Sequence, residues 1–231
     1  MPSPSSRPRN EIDPALPAAG QVYDVLHGAI VALEVPPGTA VNRAELQLRF
    51  KLSSTPIRDA LLRLADEGLV DIFPQSATRV SLIDVAKARQ AQFLRRSIEL
   101  EVVKTLAEAA DKSVVDVLRD IIVRQQDLAK RSDFARFDEF DREFHRRLYE
   151  AAGVPGLYAL VRQQSGHIDR IRRLHLPVAG KMQEIVRDHG LIAKAIAAGD
   201  AAAAQTRLRN HLSRSLAYSP ALEEKHPDYF S

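Results

Sequence analysis

The 231-residue chain has no cysteine. That excludes a disulfide framework and any thiolate-held metal, so a metal here must take nitrogen and oxygen ligands. No apolar run approaches the ~20 residues that cross a bilayer. The start, MPSPSSRPRN, is rich in proline, serine and arginine and has no apolar central region, so it does not read as a secretory signal. A cytoplasmic protein is expected. Charge of one sign is also scarce, at +3 net. Residues 1–83 hold eight Lys/Arg against nine Asp/Glu, a net of −1, and the remainder holds 25 against 21, a net of +4. Bulk charge therefore gives no support to a nucleic-acid-binding N-terminal half, and that case rests on pattern. Apolar residues make up 45% and charged residues 27%, as in ordinary globular proteins. The length suits one or two domains with a real core.

Residues 1–19 read as a disordered arm. Val22, Val25, Leu26, Ile30 and Leu33 then share one helical face, and VPPG at 35–38 stops that helix. A short helix is expected near 42–51 and another after the turn LSST, with Ser53 or Ser54 as N-cap, Pro56 in the first turn and Gly68 at the end. Two β-like runs, LVDIF at 69–73 and TRVSL at 78–82, make a small hairpin or wing. Residues 20–82 thus read as a winged helix-turn-helix. In that arrangement Ser53, Ser54, Thr55, Ile57 and Arg58 open the helix that enters the major groove. Arg58 can pair with guanine or hold a phosphate. Arg43, Arg49 and Lys51 suit phosphates, and Arg79 sits on the wing. The competing reading is a small helical bundle with solvated arginines.

From Asp84 the pattern is helical throughout, giving a mainly α protein. Six segments are expected, at 84–110, 113–131, 134–152, 155–175, 179–198 and 201–217, as an all-helical domain over 84–218. Residues 219–231 read as a loosely ordered tail. In the third segment Phe137, Phe140, Phe144 and Leu148 mark a buried face, and Asp141 and His145 stack beside it, four residues apart. A carboxylate and an imidazole against a core are costly unless neutralised. His189 lies ten residues before Gly199, and His211 lies 11 after Asp200. If the chain reverses at Gly199–Asp200, both stand about 15 Å from the turn, level on adjacent helices. Together the four form a candidate Asp/His₃ site for a divalent metal such as zinc, nickel or manganese. The alternative for each is an ordinary ion pair or a satisfied core histidine.

Ala91, Arg95, Ile98, Val102, Leu106 and Ala109 follow helical spacing, which puts Arg95 in an apolar stripe. Such an arginine needs a carboxylate, and the internal candidate is Glu99 one turn on. His167 could line a pocket, although the charged run Asp169, Arg170, Arg172, Arg173 reads as a solvated face. His27 and His226 read as structural.

The landmarks Pro36-Pro37-Gly38, Thr55-Pro56-Ile57-Arg58-Asp59-Ala60-Leu61 and Glu67-Gly68-Leu69-Val70 resemble the N-terminal domain of GntR-type transcription regulators. The chain has Ser54 and Ala44 where that family commonly has arginine, and Ala77 near the usual wing glycine. The helical region resembles the FCD-type effector domain of one GntR subfamily, through Asp141-x₃-His145, Asp188-His189 with Ile192, Ala195-Ile196 and Gly199-Asp200, and His211-Leu212. The resemblance implies those four ligands and an effector-binding role for Arg95 in R-R-S-I-E. It also implies a homodimeric, ligand-responsive regulator, most often a repressor, on a pseudo-palindromic operator, with a small carboxylate as effector. Three other readings stay open: a sensor whose effector is the metal itself, a metalloenzyme, and a metal that is purely a structural clamp. Against the enzyme, no general base or nucleophile stands beside the ligands.

Overall fold

The computed structural model describes residues 12–74 and 76–231. The expected arm lies largely outside these residues. Its last part is ordered: Gln21 Oε1 accepts from the Asp13 amide at 2.7 Å, and helix α1 already begins at Ala18. The chain divides into two compact units, one of residues 12–84 with 226–231 and one of residues 85–225.

In the first unit α1 spans Ala18–Val31, α2 Arg43–Phe50 and α3 Ser54–Asp66. Asn42 caps α2, its Oδ1 accepting from the Ala44 and Glu45 amides. Lys51 turns the chain in a left-handed conformation (φ 54°), so that α3 starts three residues later. The helices close on Val22, Leu26, Ile30, Leu46, Phe50, Ile57, Leu61 and Leu64, all buried. Gly68 (φ 70°) ends the helical part. Strands β1 (Val70–Ile72) and β2 (Thr78–Val80) then pair antiparallel, with Val70 opposite Val80. Their inward valines complete the core and their tip forms the wing. The C-terminal residues also belong to this unit: a 3₁₀ turn at Pro227–Tyr229 is followed by a parallel bridge between Phe230 and Ile83.

The second unit is all helix. Helices α4 (Val85–Glu108), α5 (Ser113–Arg131) and α6 (Phe134–Ala151) are followed by α7 (Pro155–Gln163), α8 (Gly166–His175), α9 (Lys181–Ala197), α10 (Ala201–Ala217) and α11 (Ser219–Lys225). Helix α4 packs along α10, α5 lies between α6 and α9, and α9 and α10 form an antiparallel hairpin. That hairpin turns at Gly199 (φ 72°), and Asp200 caps α10 through the Ala203 amide. Phe137, Phe144, Leu148, Leu118, Ile192, Ile196 and Leu208 fill the centre.

Two expectations fail here. The single helix expected over 155–175 breaks at Gln164–Ser165. Ser165 Oγ bonds back to the Val161 carbonyl and the next residue is Gly166, the weakest helix former after proline. The tail expected to be loosely ordered instead forms α11. Pro220 is tolerated in its first turn, Ser219 Oγ donates to the Leu216 carbonyl, and Leu222 is buried, with the helix against α8.

Candidate metal centre

The fold brings Asp141, His145, His189 and His211 together. One donor atom from each lies within 4.8 Å of every other. Asp141 and His145 come from the third and fourth turns of α6, His189 from the middle of α9 and His211 from α10, where the hairpin at Gly199 sets them level. Phe144, next to His145, stacks flat on His189 at 3.8 Å between ring centroids and fixes that ring's plane.

Each imidazole is held from behind. Glu99 Oε2 lies 2.8 Å from His145 Nδ1, Gln125 Oε1 2.8 Å from His189 Nδ1, and Asp188 Oδ2 3.4 Å from His211 Nδ1. Carboxylate and amide oxygens accept, so with Nδ1 as the donor each ring is left to present its Nε2 lone pair. The lone pairs converge: His211 Nε2 is 3.3 Å from both His145 Nε2 and His189 Nε2. Acceptors cannot bond one another, so these contacts are repulsive unless a cation stands between them. Tetrahedral donors at about 2.1 Å from zinc lie about 3.4 Å apart, close to this spacing. Asp141 Oδ1 points to the same place, 3.6 Å from His189 Nε2, and is buried without a hydrogen-bond partner. An orphaned buried carboxylate oxygen facing imidazole lone pairs fits a divalent ion.

The electrostatics agree. Burial, reinforced by the neighbouring His211, pushes His189 well below the usual histidine range, and burial lowers His145 to about 4. Both rings are therefore neutral and able to bind metal at pH 7. Burial alone would raise Asp141, but Arg172 outweighs it and holds the carboxyl well below its usual range. Glu99 is likewise held to about 2 against its burial, by Arg95 and His145.

Arg95 takes the internal partner: its Nε donates to Glu99 Oε1 at 2.7 Å. Glu99 thereby joins Arg95 to His145. Arg95 also lines a narrow cleft with Arg172, Lys181, His211 and Ser215. The charged run on α8 is not the solvated face expected. Arg170 and Asp169 are buried, and Arg172 reaches inward to bond Asp141 Oδ2. Helix α8 packs against α4 and α10, so what reads as a polar face lies over the cluster. His167 is buried and contacts Arg170 through Nδ1, at 3.1 Å.

Arg172, Glu99 as a histidine partner, Gln125 and Asp188 escaped the sequence reading. Asp188 stands beside His189 in sequence yet serves His211, and no local pattern marks Gln125.

In the first unit Ser53, Ser54, Thr55 and Arg58 are exposed at the start of α3. Among the described residues Arg58 pairs with its neighbour Asp59, at 3.5 Å. Arg43 donates to Thr78 Oγ1 and Arg79 to the Gly38 carbonyl, so both are tied to the wing.

Residues 18–80 match the family model for bacterial regulatory proteins of the gntR family, and residues 90–214 match that of the FCD domain. An HTH-type transcriptional regulator from an unstable DNA locus of Streptomyces ambofaciens is 36% identical over 208 residues, 87% of each chain. The HTH-type transcriptional repressor RspR of Escherichia coli (strain K12) is 27% identical over 96% of this chain and 97% of its own. Among solved structures, E. coli McbR/YncC superposes with a TM-score of 0.74 at 20% identity, covering 87% of this chain and 96% of that one. The chain belongs to the GntR family of DNA-binding transcriptional regulators, with an FCD domain after its helix-turn-helix, and it is not an enzyme.

Proposed function

We propose that this regulator is a ligand-responsive repressor whose helical domain, residues 84–218, holds one divalent transition metal and beside it a small organic acid. Asp141, His145, His189 and His211 hold the metal, zinc before nickel or manganese because the donor set is nitrogen-rich and tetrahedral spacing suits it. The metal supplies a fixed positive charge for the acid's carboxylate. Arg95 and Arg172, which line the cleft with His211, supply the donors that orient it. Residues 20–82 read DNA. Arg58, Ser53, Ser54 and Thr55 face base edges, while Arg43 and Arg79 brace the wing and meet phosphates. A homodimer presents two such heads to a pseudo-palindromic operator in the cytoplasm. The acid acts by preferring one arrangement of the heads over the other.

The observation that carries this reading is the convergence of three Nε2 lone pairs and an orphaned carboxylate oxygen on one point. X-ray absorption of zinc-loaded protein tests it. We expect three imidazoles and one carboxylate oxygen at about 2.0–2.1 Å. A first shell with one imidazole or none would refute it. The sensor reading, in which metal alone is the effector, predicts operator release on metal addition with no added response to carboxylates.

A further inference from the structure

The wing of the first unit carries a large aromatic side chain that its core does not use. Along this edge the side chains alternate. Val70 and Ile72 turn toward the core, and Asp71 and Phe73 turn away from it. Phe73 is 51% exposed, one residue past the last pair of the hairpin. The tip is closed by its own backbone: the Phe73 amide donates to the Ala77 carbonyl at 2.8 Å, and the Ser76 amide to the Phe73 carbonyl at 3.2 Å. Behind the tip, β2 is held on both edges. It pairs with β1 on one side. On the other, the Gly38 and Val41 amides donate to its Val80 and Thr78 carbonyls, each at 2.8 Å. The ring therefore stands out from a braced base.

The chemistry of the tip is apolar. FPQSA at 73–77 has no charged side chain. Arg43 and Arg79 are engaged below it, with Thr78 Oγ1 and the Gly38 carbonyl. A tip that gripped DNA through phosphates would carry lysine or arginine. This one presents phenylalanine followed by proline, two of the side chains that proteins insert into the minor groove as apolar wedges. One exposed apolar residue on a surface needs no explanation in itself. Its place supplies one here, because the same unit exposes Thr55 and Arg58 at the start of α3. With that helix seated in the major groove, a projecting hairpin meets the minor groove beside it.

We propose that Phe73 is a specificity residue of the wing, which enters the minor groove flanking the half-site and packs on sugars and base edges there. This rests on the reading of residues 20–82 as the DNA-reading unit, and adds to it a contact without charge. Such a contact releases no counterions, so it raises affinity without steepening the salt dependence. It responds to the room in the groove. The guanine amino group stands on the minor-groove floor where adenine has none, and it obstructs the ring. Phe73 thereby favours A·T pairs at positions that α3 does not touch.

Fluorescence anisotropy of the full chain, on a duplex that it selects from random sequence, tests the proposal. Phe73→Ala should weaken binding about tenfold, with the salt slope and the melting temperature unchanged. Phe73→Leu, still a wedge, should recover most of the loss. Diaminopurine in place of adenine adds the minor-groove amino group and keeps the N7 and N6 groups that the major groove presents. At one or more adenines flanking the half-site it should weaken wild type about fivefold and Phe73→Ala less than about twofold. Wild-type affinity in Phe73→Ala, a loss that comes with a lower melting temperature, or diaminopurine that affects both proteins alike overturns the proposal. The reading of α3 stands in each case provided that Arg58→Ala weakens binding. If Arg58→Ala and Phe73→Ala both bind as wild type does, the reading of residues 20–82 fails, and the wedge with it.

Discussion

Arg58 and Arg172 each face an aspartate, one in each unit of the molecule. Arg58 sits 3.5 Å from Asp59, with 65% of its side chain exposed. Arg172 bonds Asp141 with 15% exposed, and Asp169 flanks it at 3.6 Å. The first pair is screened by water and contributes little to stability. The second is held in a low-dielectric interior, where losing one partner strands a charge. The same contrast runs through both units. The candidate DNA-reading side chains stand on a small apolar core and leave it undisturbed. The candidate metal ligands and the groups behind them lie inside the core. A surface that must meet DNA can therefore vary without cost to folding, whereas the cluster cannot change without disturbing its scaffold.

The largest expected effect lies inside the helical unit. Glu99→Ala removes the partner of both Arg95 and His145. It should cost about 3–5 kcal/mol of stability through the stranded arginine, and lower metal affinity about tenfold to a hundredfold. Denaturant unfolding and competition with a chelator measure the two. An unfolding midpoint like that of wild type would break the contrast between the units. Next, Arg58→Ala should weaken operator binding by about 1–3 kcal/mol while the melting temperature stays put. Fluorescence anisotropy on a selected operator would register the loss, and a concurrent drop in melting temperature would show that Arg58 is part of the core after all.

A smaller effect concerns acid. Burial and the nearby Lys181 depress His175 to about 4, from an ordinary value near 6.5. It is therefore neutral in the fold, stacked on Tyr218. A depressed histidine contributes stability that is present above pH 6.5 and is lost as pH falls toward 4. His175→Phe should flatten the acid slope of melting temperature in metal-free protein between pH 7 and 5. Parallel slopes for wild type and variant would remove His175 from that account. The smallest effect is expected at Arg119–Asp116, a surface pair at 2.8 Å with both side chains mostly exposed. Arg119→Ala should change stability by no more than about 0.5 kcal/mol, and a larger loss would mean that the contrast with the buried pairs is overdrawn.

Much of this was legible in the sequence. The helix spacing and the turn glycines located the helices. The near-equal distances of His189 and His211 from the turn at Gly199–Asp200 set them level on adjacent helices. What stayed hidden depended on tertiary contacts. Arg172 looks solvated because it stands in a densely charged run, and only the docking of α8 over the cluster turns it inward. Gln125 carries no local mark, being an amide in an ordinary amphipathic helix. The break at Gln164–Ser165 turns on one serine hydroxyl bonding back to a carbonyl, a choice that sequence leaves open. Lys181 reads as the first residue after a turn, and its burial follows from the clefts that α4, α8 and α10 leave around it.

The measurement that tests the central claim most directly is metal content of untagged protein, for wild type and for His189→Ala. The account predicts about one equivalent of transition metal per wild-type chain, bound by the four converging donors, and its loss in the variant. Wild-type protein that retains no transition metal after exposure to zinc, or a His189→Ala variant that retains a full equivalent, would contradict it.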